Sequence, residues 1–169
     1  MSVAVVDTNV VLVANGQHAD VSPECVIACV RTLQDVMRSG TLALDDSFQI
    51  LLEYQNRTQP KKGNRPGDAF VKWALRHRSN PNLVVEVPLE EHEVRGFESF
   101  PDDAELINFD APDRKFVAVS AAHPDRPSIA QAADSKWLDW APALQRHGIQ
   151  VEFLCLVDIQ RFHDKKFGV

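Results

Sequence analysis

Four carboxylates stand where an α/β chain keeps its chemistry. Asp7 follows the apolar run Val3-Ala4-Val5-Val6, and Glu53 lies in Ile-Leu-Leu-Glu-Tyr, shortly after a second apolar run at 41–44. Asp113 stands beside Pro112 at a helix start, and Asp134 follows the small-residue run Ala130-Gln131-Ala132-Ala133. Continuous apolar strands belong to parallel sheets covered on both faces. In open α/β sheets, ligands sit beyond the carboxyl ends of the strands. Right-handed crossovers bring the ends of successive strands to one edge, so the four acids are expected together. Clustered carboxylates repel and take up protons unless a cation neutralises them. Hard divalent ions, Mg²⁺ or Mn²⁺, suit a few carboxylates that leave room for water and phosphate oxygens. Such an ion acidifies a bound water, and a second can stabilise a leaving oxygen. The chemistry this predicts is phosphodiester hydrolysis. Singly, each acid also has a plain reading. Asp7 reads as a strand-end cap, Glu53 as solvated helix, Asp113 as a first-turn acid that favours the helix dipole, and Asp134 as an N-cap.

The elements that must position these residues follow from hydrophobic period and punctuation. A short helix is expected over 9–15, ended by Asn15-Gly16. Ser22-Pro23-Glu24 starts a longer helix, with Val26, Ile27, Val30, Leu33, Val36 and Met37 at helical spacing and Gly40 closing it. After the strand at 41–44, Ser47 is expected to cap the helix that carries Glu53. Asp68 is expected to cap the next helix, which runs to His77. Strands follow at 83–87, 128–133 and 149–154, with helices starting at Pro112 and spanning 135–145. Between them, 86–113 holds ten acids and only Arg95, and is expected to be solvated helix or irregular chain. Asp110 reads as a cap for the helix at Pro112, or as an outer acid beside Asp113. Strand alternating with helix predicts a three-layer α/β/α sandwich with a mostly parallel central sheet. With no repeat or linker in view, residues 1–169 are expected to form a single domain.

Composition is that of a soluble globular chain: 44% hydrophobic and 25% charged residues. No apolar run approaches a membrane span, and no basic segment with an apolar core opens the chain, so no export signal is expected. Cys25, Cys29 and Cys155 lie in apolar surroundings and read as core fillers. Cys25 and Cys29, four apart, fit that reading better than a metal pair. A reducing, cytoplasmic location is the corresponding expectation. The net charge of −6 conceals a strong asymmetry. Between Arg57 and Arg78 seven basic residues face Asp68 alone, a local net charge of +6. Arg57, Lys61, Lys62, Arg65, Lys72 and Arg76 are therefore candidates for holding a phosphate backbone. Trp73 among them reads as core rather than as a base-stacking ring. Trp137 and Trp140 read as core or as a dimer face.

In order and spacing, Asp7-Thr8-Asn9 after an apolar strand, Glu53 in its helix, Asp113 in Asp-Arg-Lys-Phe-Val-Ala-Val-Ser and Asp134 after Ala-Gln-Ala-Ala resemble the PIN-domain nucleases, including the VapC-like toxins. The resemblance spans nearly the whole chain. It implies a metal-dependent endoribonuclease, with RNA as substrate and Asp7, Glu53, Asp113 and Asp134 as Mg²⁺ or Mn²⁺ ligands and catalytic acids. Thr8 or Asn9 would steady Asp7, and Ser135 would support the fourth acid. It also implies the toxin half of a toxin–antitoxin pair, hence an antitoxin partner, and a homodimer. Two departures stand out. Ala133 occupies the place where the family usually carries Thr or Ser, and the chain exceeds the commonest toxin length near Lys61 and Asp102. A haloacid-dehalogenase-like phosphatase also opens with strand and Asp, but it needs a second Asp where Asn9 stands. The non-enzyme alternative is a catalytically weak PIN-like module that binds RNA or protein.

Overall fold

The computed structural model of the chain describes residues 2–167. Five parallel strands form the central sheet: β1 (Val3–Val6), β2 (Thr41–Asp45), β3 (Val84–Val87), β6 (Ile129–Gln131) and β7 (Val151–Phe153). Across the sheet they stand in the order β3-β2-β1-β6-β7. A separate antiparallel pair, β4 (Glu91–His92) and β5 (Gly96–Phe97), lies in the acidic stretch. Among the described residues seven helices flank the sheet: α1 (Thr8–Ala14), α2 (Pro23–Ser39), α3 (Gln49–Arg57), α4 (Pro66–His77), α5 (Arg114–Ala122), α6 (Lys136–Arg146) and α7 (Leu156–Phe167). The architecture is the expected three-layer α/β/α sandwich. Val5, Val6, Leu42, Ala43, Leu44 and Ile129 are fully buried, as strands covered on both faces require. Helices α1 to α4 pack on one another, while α5 lies against β1, β2 and β6.

Helix α2 is built as its sequence says. The Ser22 hydroxyl accepts from Cys25 N at 3.2 Å, Pro23 opens the helix, and Cys25, Cys29, Leu33 and Val36 form its buried seam. Elsewhere the structure corrects the expectations. Ser47 does not cap α3. The Asp45 carboxylate does, accepting from Gln49 N and Ile50 N, both at 2.9 Å, while Phe48 turns the chain in the left-handed region at φ 58°. An acid at the end of β2 can reach both amides because that sharp turn folds the helix start back over the strand end. Asp68 likewise lies inside α4 rather than before it. There it is buried and bound by the Asn15 amide at 2.9 Å, Gln59 N at 2.9 Å and Arg65 Nε at 2.9 Å. Those donors outweigh the cost of burial and hold its carboxyl below the usual range.

The acidic stretch is not merely solvated. It contributes Phe97, Phe100, Leu106 and Phe109 to the core, and Phe109 packs against Trp137 and Trp140 at ring separations of 5.0 and 4.3 Å. Most of its acids remain exposed, while Asp103, Asp110 and Asp113 are partly covered. Helix α7 has no counterpart among the expected elements, which end with the last strand. It returns Cys155 to the start of α2, where Cys155 and Cys25 form a disulfide across 130 residues. All three cysteines fill the core as expected, but only Cys29 among them is a free thiol.

Candidate metal centre

The chain leaves β1 for β2 on one side and later returns to place β6 on the other. The carboxyl ends of β1 and β6 therefore border the crevice where strand order reverses, the position at which such sheets bind ligands. Asp7 follows β1 directly, and its backbone N–H donates to Ala130 O of β6 at 3.0 Å. Its Oδ1 accepts from Asn9 N at 2.7 Å, so Asp7 is also the N-cap of α1. Its second oxygen is buried and has no hydrogen-bond partner among the described residues. A carboxylate oxygen left in that state is costly, since burial without a donor forfeits its hydration.

Asp134 is held by the loop after β6. The Asn9 side-chain oxygen accepts from Ala133 N at 2.7 Å, and Gln131 Oε1 accepts from Ala132 N at 2.9 Å. Asp134 Oδ1 accepts from Lys136 N at 3.2 Å. Asp113 ends a short 3-10 turn, Ala111–Asp113, and leads into α5 without a capping bond from its side chain. Asp110 precedes that turn and pairs with Lys136 Nζ at 3.0 Å. One carboxylate oxygen each of Asp110, Asp113 and Asp134 lies within 4.8 Å of the others. Glu53 approaches from α3. It accepts from the Thr8 hydroxyl and, at 3.0 Å, from Lys115 Nζ, which also donates to Pro112 O.

This arrangement strains the ionised forms. Burial, reinforced by Asp113, Asp134 and Glu53, pushes Asp7 up to about 8, and the bond from Asn9 offsets only part of that rise. Burial and then Asp134 raise Asp113 to about 6, against the pull of Lys115. Asp134 is raised chiefly by burial. A cation among Asp110, Asp113 and Asp134 would reverse their mutual repulsion and ease that on Asp7. The donor set is all oxygen, matching Mg²⁺ or Mn²⁺ rather than a softer ion. The residues present therefore fit such an ion.

Of the four expected ligands, Asp113 and Asp134 come within 4.8 Å of each other and are joined there by Asp110, whereas Asp7 and Glu53 lie outside that trio and act on it through their charge. Asp110 occupies the N-cap position of the 3-10 turn as expected but makes no capping bond with its side chain, and it sits within the carboxylate trio. Thr8 does not steady Asp7 with its hydroxyl, which is committed to Glu53 because α1 turns that side chain toward α3. Asn9 supports Asp7 through its backbone, and its side chain ties β1 to the Asp134 loop. Ser135 is nearly buried but caps nothing with its side chain.

Sequence reasoning missed Lys115 and Lys136. Each stands two residues after a cluster acid, in Asp113-Arg114-Lys115 and Asp134-Ser135-Lys136. That doubled Asp-x-Lys spacing is the signal that points to them. On the basic flank, Arg57, Lys61, Lys62 and Arg76 are exposed, and Lys72 is half-exposed. Among the described residues these five form no ion pair. Arg65 is instead committed to Asp68. Trp73 is partly buried against the core and stacks on Phe70 at 6.0 Å. No helix is long and apolar enough to cross a membrane among the described residues. Comparison with protein-family models, with curated proteins and with solved structures finds no match for the chain.

Proposed function

We propose that the chain is a Mg²⁺- or Mn²⁺-dependent endoribonuclease of PIN-like type, with Asp7, Asp113 and Asp134 holding the ion and Asp110 and Glu53 completing the acidic site. The observation that carries this reading is the buried Asp7 oxygen without a hydrogen-bond partner, set at the sheet's switch point beside raised carboxyls. When bound, the ion supplies an acidified water and a counter-charge for a phosphodiester oxygen. The protein's own groups do the rest. Asn9 and Gln131 fix the loop that presents Asp134. Thr8 and Lys115 hold Glu53 in one orientation, and Lys115 offsets part of the negative field that would repel RNA. Arg57, Lys61, Lys62, Lys72 and Arg76 supply cations for the RNA backbone without reading its bases. The cytoplasm is the compartment of this proposal, RNA being its substrate.

The test is cleavage of a labelled RNA with Mn²⁺ by the wild type and by Asp113→Asn. Cleavage by the wild type that Asp113→Asn loses supports the reading. No cleavage by the wild type, or equal cleavage by both, sinks it.

A second reading, a module that binds RNA or protein without cutting, draws on Lys115 and Lys136. These two ammonium groups already offset Glu53 and Asp110 without any metal. Calorimetry separates the two: Mn²⁺ binding that Asp113→Ala weakens favours the enzyme, and no Mn²⁺ heat favours the module. The toxin role, its antitoxin and a homodimer are subordinate parts of the first reading. An adjacent reading frame encoding a small DNA-binding protein supports the toxin role, and sedimentation tests the dimer.

A further inference from the structure

A second ligand-bearing cluster is made of sulfur. Cys25 lies in the first turn of α2, and Cys29 lies one turn later on the same buried seam. Cys155 immediately precedes α7. The two helix starts are clamped by Asp158, whose carboxylate accepts from Ser22 N at 2.6 Å and from the Ser22 hydroxyl at 2.7 Å. Arg161 braces Asp158 at 3.2 Å. The three Sγ atoms lie within 4.8 Å of one another, and those of Cys29 and Cys155 are 4.0 Å apart. In a zinc–thiolate site, with Zn–S near 2.3 Å, tetrahedral sulfurs stand roughly 3.8 Å apart. The Cys29–Cys155 separation already has that spacing.

The electrostatics sort the three residues. Cys25 stands in the first turn of α2 and Cys155 directly before α7, where they are joined to each other. Cys29 is fully buried, and burial aided by the nearby Asp158 pushes its thiol up to about 12. It stays protonated unless a cation takes the proton's place. Beside Cys25 and Cys155 a surface groove opens, lined by Ser22, Glu24, Leu156 and Arg161. Cys25 and Cys155 border this groove while Cys29 lies behind them, closed to solvent.

We propose that the reduced chain binds one Zn²⁺ through Cys25, Cys29 and Cys155, and that the Cys25–Cys155 disulfide is the closed, metal-free form of the same site. A dithiol reductant supplies the electrons: it donates two electrons and two protons to the Cys25–Cys155 bond and is itself closed to a disulfide. Zn²⁺ then displaces the three thiol protons to solvent, and water fills the open position facing the groove. A disulfide oxidant, such as oxidised glutathione, reverses the sequence. It takes two electrons from Cys25 and Cys155 and, with two protons from solvent, leaves as two thiols, while the ion is released and Cys29 regains its proton from solvent. The site thus ties the start of α7 to α2 by sulfur–sulfur or by sulfur–metal bonds according to redox state.

The probe is Co²⁺, whose thiolate complexes absorb in the near ultraviolet, titrated anaerobically into phosphine-reduced protein and then displaced by Zn²⁺. The expected result is a charge-transfer band that saturates at one Co²⁺ per chain and is absent from the disulfide form. Cys29→Ala should weaken Co²⁺ binding by about tenfold or more. Zn²⁺ should protect all three cysteines from alkylation in the reduced wild type, a readout that needs no variant to fold. Asp113→Asn should leave the band unchanged, which separates this site from the carboxylates whatever their activity. The proposal is overturned if reduced protein shows no such band, if Zn²⁺ leaves alkylation unslowed, if Cys29→Ala titrates like the wild type, or if the band requires two chains per ion.

Discussion

Asp7→Asn isolates the cost of the carboxylate cluster. In an unfolded chain this carboxyl titrates near 3.8, and in the folded one near 8. Between those values the native state holds a proton that the unfolded state lacks. Stability is therefore greatest at low pH and falls as pH rises through the interval, by about 1.4 kcal/mol per unit at most. From about pH 5 to about pH 8 the ceiling is roughly 4 kcal/mol, and with relaxation around a buried charge we expect about 2 kcal/mol from Asp7. The introduced amide keeps an oxygen to accept from Asn9 N and puts a donor where the unpaired oxygen stood, so the variant retains the cap. In chelator, urea midpoints near pH 8 should show Asp7→Asn more stable than the wild type, with the gap narrowing near pH 5. Saturating Mn²⁺, at about a hundred times its dissociation constant, should restore about 3 kcal/mol to the wild type and distinctly less to the variant. The reasoning is refuted if the variant loses stability with pH as steeply as the wild type, or if Mn²⁺ stabilises both equally.

Three further outcomes follow from the same geometry. Lys115→Met leaves the partly buried Glu53 carboxylate without its cation and should cost about 2 kcal/mol, much of it regained in the double variant with Glu53→Gln; urea unfolding measures both. Replacing Lys61, Lys62, Lys72 and Arg76 by Gln should weaken RNA binding and lower its logarithmic salt slope by about 0.7 for each phosphate no longer neutralised. Anisotropy titrations at several salt concentrations check this, with the melting temperature nearly unchanged. Phe109→Ala opens a hole between Phe100, Trp137 and Trp140 and should cost about 3–4 kcal/mol, read as a shift in urea midpoint. A change within experimental error would mean that the acidic stretch is not anchored as described.

The candidate acids were legible in the sequence because each sits beside a feature with a short-range physical cause. Asp7 follows a buried strand, Asp113 adjoins a proline at a helix start, and Asp134 follows a small-residue strand. Legibility ended where a side chain's partner depends on how distant elements meet. Thr8 reads as a support for its neighbour, but α3 packs over α1 and claims its hydroxyl for Glu53. Ser47 has the chemistry of a cap, yet the left-handed turn at Phe48 hands that role to Asp45. Lys115 has no local signal beyond its spacing from Asp113, and only the packing of α5 against α3 brings it, buried, to Glu53.

By itself the sequence determined the layer architecture and the candidacy of the four acids. Both rest on hydrophobic period and on residues punctuating strand ends, which act within a few positions along the chain. Only the tertiary structure decided which oxygens are left without donors, that Asp110 joins Asp113 and Asp134, and that Lys115 and Lys136 stand against the cluster. It also decided that Cys155 returns to Cys25 across 130 residues. These are properties of crossovers and of helix starts brought together, and no local pattern encodes them. Asp7 shows both sides: its type and place at the end of β1 are written in the chain. The unpaired oxygen that makes it a candidate ligand exists only once β6, α3 and α5 have closed around it.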